Sequence, residues 1–577
     1  MSRPWAYLAS LGLSACASVV AAPSAPEASA VSATAEVHNS DMDAQLMYRV
    51  LTAEIAQQAQ VHDIAFGLML EAAKSRQDDA LYERAIAIAS QARAGNSALK
   101  AAKLWRQNMP ESINAMRQTL GLELALQRSD DAADSLKRLF KAMPLEDMPA
   151  LATQLPAALQ RLPDAAQRQR LAQEALRTLL NDPQRGAYAH AVLGTLAIQN
   201  QDLSGALQHA REGLALQADN ASVATLAVAL LEQGEDQAEA LVLGHLDQAE
   251  ASPRVRMFYV RQLLQSNWLA PAFDQLKTLT ARHPDQRDAW LLLGRLELDR
   301  KRYDAAQSST EKALGDADPQ RDTVAQRALM QLAEIAQAQQ QWDQAQAHLA
   351  RITAPEDDLQ WLYQRASLQA AQGDLPGALA LLATWPAPDD DARLRRLWRE
   401  VQLLREFEAL DQAYARLASA REQFPNNNDL IYTQAMVAER LKRYDDMERL
   451  LRLHIEREPQ DHQALNALGY SLADRGVRLV EAKTLIQAAL SQVPQDPFVT
   501  DSLGWVLFRL GEHEQAIEVL QRAWASRSDA EIAAHLGEVL WTVGRQDEAK
   551  QTWAQGLALS PDNDTLRSTL RRLGVRL

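Results

Sequence analysis

The sequence predicts an all-α chain folded as a solenoid of paired helices, and three observations carry that expectation. Ala, Leu and Gln dominate the 577 residues, aromatic residues make up 5%, and the 22 glycines are spaced rather than clustered. Such a composition favours helix. A chain of this length cannot wrap one compact core, so it must hold several domains or a repeat array. The third observation is a pattern of large, glycine, small and proline positions that returns about every 34 residues.

Residues 1–15 have the layout of an export signal. Arg3 and the free amine supply positive charge, and Trp5 to Leu13 supply the apolar segment. The run Leu13-Ser14-Ala15-Cys16 resembles a bacterial lipobox, which implies that Cys16, the one cysteine of the chain, is lipidated and becomes the mature N-terminus. The alternative is an ordinary cut after Ala17, since Ala15-Cys16-Ala17 also fits a small-residue cleavage site, leaving a soluble exported protein. In lipoproteins of this type an aspartate after the cysteine favours the inner membrane. Ala17 stands there instead, so the resemblance implies a lipid anchor in the outer membrane, facing the periplasm. Several acyl chains would hold such an anchor permanently, and no other stretch reaches the roughly 18 apolar residues of a membrane span. Residues 16–40 then comprise the lipidated cysteine and a tether rich in Ala, Ser, Pro and Val. Its expected reach is roughly 25–30 Å. With Cys16 acylated no disulfide is possible, and stability must come from packing.

The repeat is clearest over residues 285–562. Trp290-Leu291-Leu292-Leu293-Gly294 is followed by Tyr303 and Ala306; Leu468-Gly469-Tyr470 by Ala482, after one extra residue, and Pro494. Leu503-Gly504-Trp505 leads to Gly511 and Ala516, and Leu536-Gly537 to Gly544, Ala549 and Pro561. The glycines of the first helix let the second approach, the alanines give it a small surface, and the prolines stop it. This pattern resembles the tetratricopeptide repeat (TPR), which implies a right-handed superhelix of helix-turn-helix units, a TPR α-solenoid. Residues 41–284 keep the phase in degenerate form, with Ala53 to Ala65, Ile86 to Ala98, Leu120 to Ala132 and Gly194 to Ala206. A stretch at 141–186, holding Pro144, Pro149, Pro156 and Pro163, matches poorly and is expected to be the weakest interface. Counting every unit gives about fifteen helix pairs. Residues 563–577 read as a capping helix with Asn563 or Asp564 as N-cap and Arg571 and Arg572 in its last turn, where cations suit the dipole.

No catalytic constellation emerges, and the chain is read as a non-enzyme with no cofactor and no metal site. His513-Glu514 would open a zinc-protease helix, but Ile517 occupies the second histidine's place, and none of the eleven histidines pairs with another at i, i+4. Asp389-Asp390-Asp391 and Asp445-Asp446 fall at expected turns. A formal net charge of -15 without a basic stripe argues against nucleic acid.

What remains is surface. In the repeat family the first helix of each pair lines a groove through its second, fifth, ninth, twelfth and thirteenth residues. By that resemblance the groove residues are Tyr432, Met436, Glu439 and Arg440; Asn466, Tyr470 and Asp474; Phe498, Asp501, Trp505, Phe508 and Arg509; and Glu538 and Trp541. Aromatic residues there suit a segment of another protein, though Trp505 and Tyr470 fit interhelical packing equally well. Chaperone-binding members clamp a C-terminal carboxylate with lysine and asparagine at the fifth and ninth positions. Here those positions hold Tyr432/Met436, Asn466/Tyr470, Asp501/Trp505 and Ala534/Glu538, so that partner class is disfavoured.

A narrower resemblance rests on Tyr48-Arg49-Val50-Leu51-Thr52-Ala53-Glu54-Ile55-Ala56 with Asp63-Ile64-Ala65 and Tyr82-Glu83-Arg84-Ala85-Ile86, and on Ala467 to Gly476 with Asp501 to Trp505. With the lipobox, these stretches are similar to the outer-membrane TPR lipoprotein that serves as adaptor and activator of a periplasmic carboxy-terminal processing serine protease and delivers peptidoglycan hydrolases to it. Two other readings stay open: a lipoprotein for assembly of pilus, secretion or polysaccharide-export machinery, and an enzyme built on residues 141–186.

Overall fold

The computed structural model describes residues 43–353 and 358–576, which form two compact units divided between residues 353 and 354. The expected signal and tether, Cys16 included, lie outside the described residues. Among those residues the chain is 78% helical, with thirty-one α-helices and no strand. The helices pack largely as consecutive pairs, as the expected α-solenoid requires. No described helix is long and apolar enough to cross a membrane. The sequence pattern sharpens near residue 285, inside the first unit, because pattern quality follows glycine spacing and compactness follows contact.

One device recurs in both units. The first helix of a pair ends in a three-residue crossover whose middle residue is left-handed, as at Gln60, Arg93, Lys301, Lys442, Gly511 and Gly544. The last crossover residue sends its N–H back to a carbonyl of the first helix, Val61 to Ala56 at 2.8 Å and Glu512 to Leu507 at 2.9 Å. This is a Schellman closure, and it satisfies carbonyls that a helix end leaves bare. Among the described crossovers of this kind, the one at 475–478 is longer, and it places both Gly476 and Arg478 at positive φ, ahead of Ala482.

The first helices of pairs start differently, on side-chain caps. Asp43, Asp78, Asn220, Asp322, Asn427, Asp461, Asp496 and Asp529 each accept a backbone N–H of the first turn. Such a cap contributes about 1 kcal/mol. Asp389 caps helix Asp390–Glu406, so Asp390 and Asp391 belong to a helix start rather than a turn; Asp445 and Asp446 likewise open helix Tyr444–Arg457. Acidic residues are favoured there by the helix dipole. Asn563 caps the final helix, Asp564–Leu573, accepting from Leu566 N–H.

The core is a seam between the two helices of each pair and the next pair. Gly469, Gly504 and Gly294 sit where a Cβ would press on Ala482, Ala516 and Ala306 respectively, or on the side chains one turn further along. At Gly537 the surface met is the indole of Trp553, which is fully buried, rather than Ala549.

The proline-rich stretch at 141–186 is helical and has a buried core, although Pro156 falls inside its helix Met148–Leu159. Pro149 lies in the first turn of helix Met148–Leu159, where a missing N–H costs nothing. That helix packs on Gly186–Gln199, while Ala165–Leu176 packs on Ser129–Ala142. Met148, Leu159, Leu162 and Leu176 are fully buried between them. The repeat pattern lapses because the partners are exchanged, and the core is not lost.

Candidate partner-binding face

Four successive first helices carry the groove positions: Asn428–Arg440, His462–Asp474, Pro497–Arg509 and Ala530–Thr542. Because His462–Asp474 touches Pro497–Arg509, which touches Ala530–Thr542, positions on their facing sides are covered. Asn466, Asp501, Trp505 and Glu538 are therefore buried, at 3%, 5%, 5% and 6% exposure. The register places Asn466, Asp501 and Glu538 toward a partner and leaves Trp505 open to either role; the structure makes all four the floor. Tyr432, Met436, Glu439, Tyr470, Phe498, Phe508, Arg509 and Trp541 are half-buried, and Arg440 and Asp474 are exposed.

The structure gathers part of this set around a histidine that the sequence reading did not select. His535 Nδ1 lies 2.7 Å from Asp501 Oδ2, its ring stacks on Trp505 at 4.5 Å, and Tyr470 Oη stands 3.4 Å from its Nε2. Phe508 leans on Trp505 at 5.3 Å. Arg509 donates to the Asp474 carbonyl at 2.6 Å, and Arg572 from the capping helix to Glu538 at 2.5 Å. The remaining residues are held apart. Tyr432 lies against His454, Trp541 against Trp553, Phe498 beneath Arg527, and Arg440 pairs with Glu408. His535 and Asp501 are 34 positions apart, one repeat length, and that period is the signal that would have found the pair.

Charge in this region is unusual for a surface. Burial opposes charging His535, but the Asp501 carboxylate outweighs it and raises the imidazole to about 9. Burial, with Asp474 beside it, lifts Glu439 to about 7; burial, with Asp501 and Asp529 near, does the same for Glu531. Burial and four nearby carboxylates push the Tyr470 phenol well up. Asn466 Oδ1, Asp501 Oδ1 and Trp505 Nε1 have no hydrogen-bond partner. Each of these atoms is itself covered, so its missing partner is a cost carried inside the fold.

A second surface lies at the other end of the described chain. Helix Ala44–Gln58 exposes Met47, Tyr48, Leu51 and Ile55 at 51–69%, and Val61 and Ile64 continue the apolar stripe. Such clustering marks an interaction surface more often than scattered exposed leucines do.

A family model for the tetratricopeptide repeat matches residues 272–322 and 502–564. The TPR repeat-containing protein PA4667 of Pseudomonas aeruginosa is 30% identical over 242 residues, which cover 42% of this chain and 41% of that protein. The match thus spans about two fifths of the relative's length. Two solved structures are similar over shorter spans. The thermophilic TPR protein TTC0263 of Thermus thermophilus matches at 22% identity with a TM-score of 0.29, over 31% of this chain and 99% of its own. MamA of Desulfovibrio magneticus RS-1 matches at 18% and 0.27, over 30% and 98%. The matched stretches hold TPR-like repeats, and such repeats indicate a protein–protein interaction scaffold.

Proposed function

We propose that this chain is a non-enzymatic adaptor, anchored to the outer membrane through Cys16, that binds and activates a periplasmic carboxy-terminal processing serine protease and brings peptidoglycan hydrolases to it. The observation that carries this reading is the apolar stripe. The segment with the discriminating resemblance, Tyr48 to Ala56, exposes Tyr48, Leu51 and Ile55 on one helix face. The half-buried ring of Phe508, at the edge of the groove, supports a second binding event, for the client. Held on one scaffold, two partners meet at an effective concentration in about the millimolar range. The scaffold contributes proximity, and the bond-breaking groups belong to the protease.

A pull-down from periplasmic extract with mass spectrometry is expected to recover a serine protease, and the triple variant Tyr48→Ser/Leu51→Ser/Ile55→Ser is expected to lose it. Each buried anchor is worth about 2 kcal/mol at a hot spot. Recovery of pilus, secretion or polysaccharide-export components in place of a protease would replace this reading with the assembly one. Cys16→Ser is expected to move the protein from the outer-membrane fraction to a soluble or precursor form without altering its helicity. Unchanged membrane association would remove the anchor from the proposal.

A further inference from the structure

We propose that His190, His209 and Glu212 form a binding site for a divalent transition-metal ion of the zinc type, which staples the two helices of one repeat together. The residues come from helix Gly186–Gln199 and helix Leu203–Leu216, joined by the crossover at Gln201. His190 Nδ1 and His209 Nδ1 stand 3.0 Å apart, and Glu212 Oε2 is 3.6 Å from His190 Nδ1. The ring centroids are 5.2 Å apart with planes at 55°, so the rings meet through these nitrogen edges. An ion about 2.0–2.1 Å from each nitrogen would subtend about 95° at that separation, and a few tenths of an ångström of opening reaches the tetrahedral angle.

Two glycines build this approach reciprocally. Gly194, one turn after His190, leaves room for Leu226, 2.2 Å from a Cβ placed there, and for His209, whose Cβ would stand at 3.3 Å. Gly213, one turn after His209, does the same for His190 at 3.1 Å. His190 is 3% exposed, and its ring also has the Leu180 carbonyl as a hydrogen-bond partner. A second ring N–H held by a backbone carbonyl is how metal-ligating imidazoles are oriented. A cleft of about 570 Å³ that includes His209, Arg170, Glu174 and Arg177 gives entry from solvent.

The donor set, two imidazoles and one carboxylate, suits zinc, nickel or cobalt better than calcium or magnesium. The other cluster of this kind, His454, Glu458 and Asp461, is less suited, because His454 faces the Asn428 carbonyl with Nδ1 and Asp461 with Nε2. His190 and His209 are 19 positions apart and span a crossover, so no i, i+4 spacing marks them.

Zinc titration of the purified, metal-free protein by calorimetry is expected to show one ion per chain, with a rise in melting temperature at saturating metal. Losing even a supporting group costs about 10–100-fold in affinity, so Glu212→Gln and His209→Ala should each weaken binding by about 100-fold and abolish the thermal shift. His454→Gln should change neither. Cobalt substitution should give the visible bands of a four-coordinate site in the wild type and lose them in Glu212→Gln. Absence of zinc uptake, or uptake that survives His209→Ala and Glu212→Gln, would overturn the site. Glu212 is exposed, so its variant folds and decides the matter even if His209→Ala does not.

Discussion

Gly504→Leu is expected to unfold the region around its repeat while the rest of the array keeps its helicity. A Cβ at position 504 would lie 2.5 Å from Leu520 Cγ, 2.8 Å from Leu520 Cδ2 and 3.4 Å from the Ala516 carbonyl. Leu520 and Ala516 are fully buried, so neither can swing into solvent to make room. The isobutyl group must push helix His513–Ser526 away from helix Pro497–Arg509, breaking the seam that these two helices share. Overpacking of this kind costs about 1–3 kcal/mol and sometimes more. Each repeat touches only its neighbours, so the damage stays local. Thermal and urea unfolding followed by circular dichroism should show an early transition of partial amplitude. Melting that coincides with wild type would mean that these two helices do not meet through Gly504. Gly511 makes a useful contrast: nothing lies near its Cβ position, and only its φ of +84° resists substitution.

Trp505→Ala should cost about 3–5 kcal/mol of stability, the range for deleting a buried aromatic side chain. The indole is 5% exposed, and its loss would remove the stack on His535 and the contact with Phe508. It would also open space beside the buried His535–Asp501 pair, whose mutual attraction is stronger where water is excluded. Phe508→Ala should behave differently, because that ring is half-buried at the edge of the floor. A small change in melting with a loss of about 2 kcal/mol in partner affinity is expected there. Measuring binding and unfolding on the same samples separates the two roles. A Phe508→Ala variant that loses stability and keeps its affinity would take this part of the face out of the binding site.

The repeat was legible because its period is written in residues with one physical job each. Gly504 and Ala516, the extra residue ahead of Ala482, and the Asn563 cap are all local or one-repeat relations, and the structure displays each of them. What escaped was set by backbone geometry or by distance. Gln60, Arg93, Lys301 and Lys442 adopt left-handed φ because the Schellman closure demands it, although nothing in their side chains announces the turn. The stretch at 141–186 hid its order because two helices trade partners. Among the groove positions, exposure could not be read from register alone. Contact between successive first helices buries Asp501 and Glu538 and leaves Arg440 in solvent. His535 lay outside the expected positions altogether.

The fixed crossover has a consequence for how such a chain can change in length. Removing or adding one residue there would turn everything downstream on the second helix by about 100° and slide it about 1.5 Å. Ala516 and Leu520 would leave the seam together. Length variation must therefore collect in the connectors between pairs, such as 315–322 and 384–389. Where a crossover does lengthen, at 475–478, it does so with Gly476 and Arg478 both left-handed, a second reversal that returns helix Leu479–Gln492 to its place and keeps Ala482 facing Gly469.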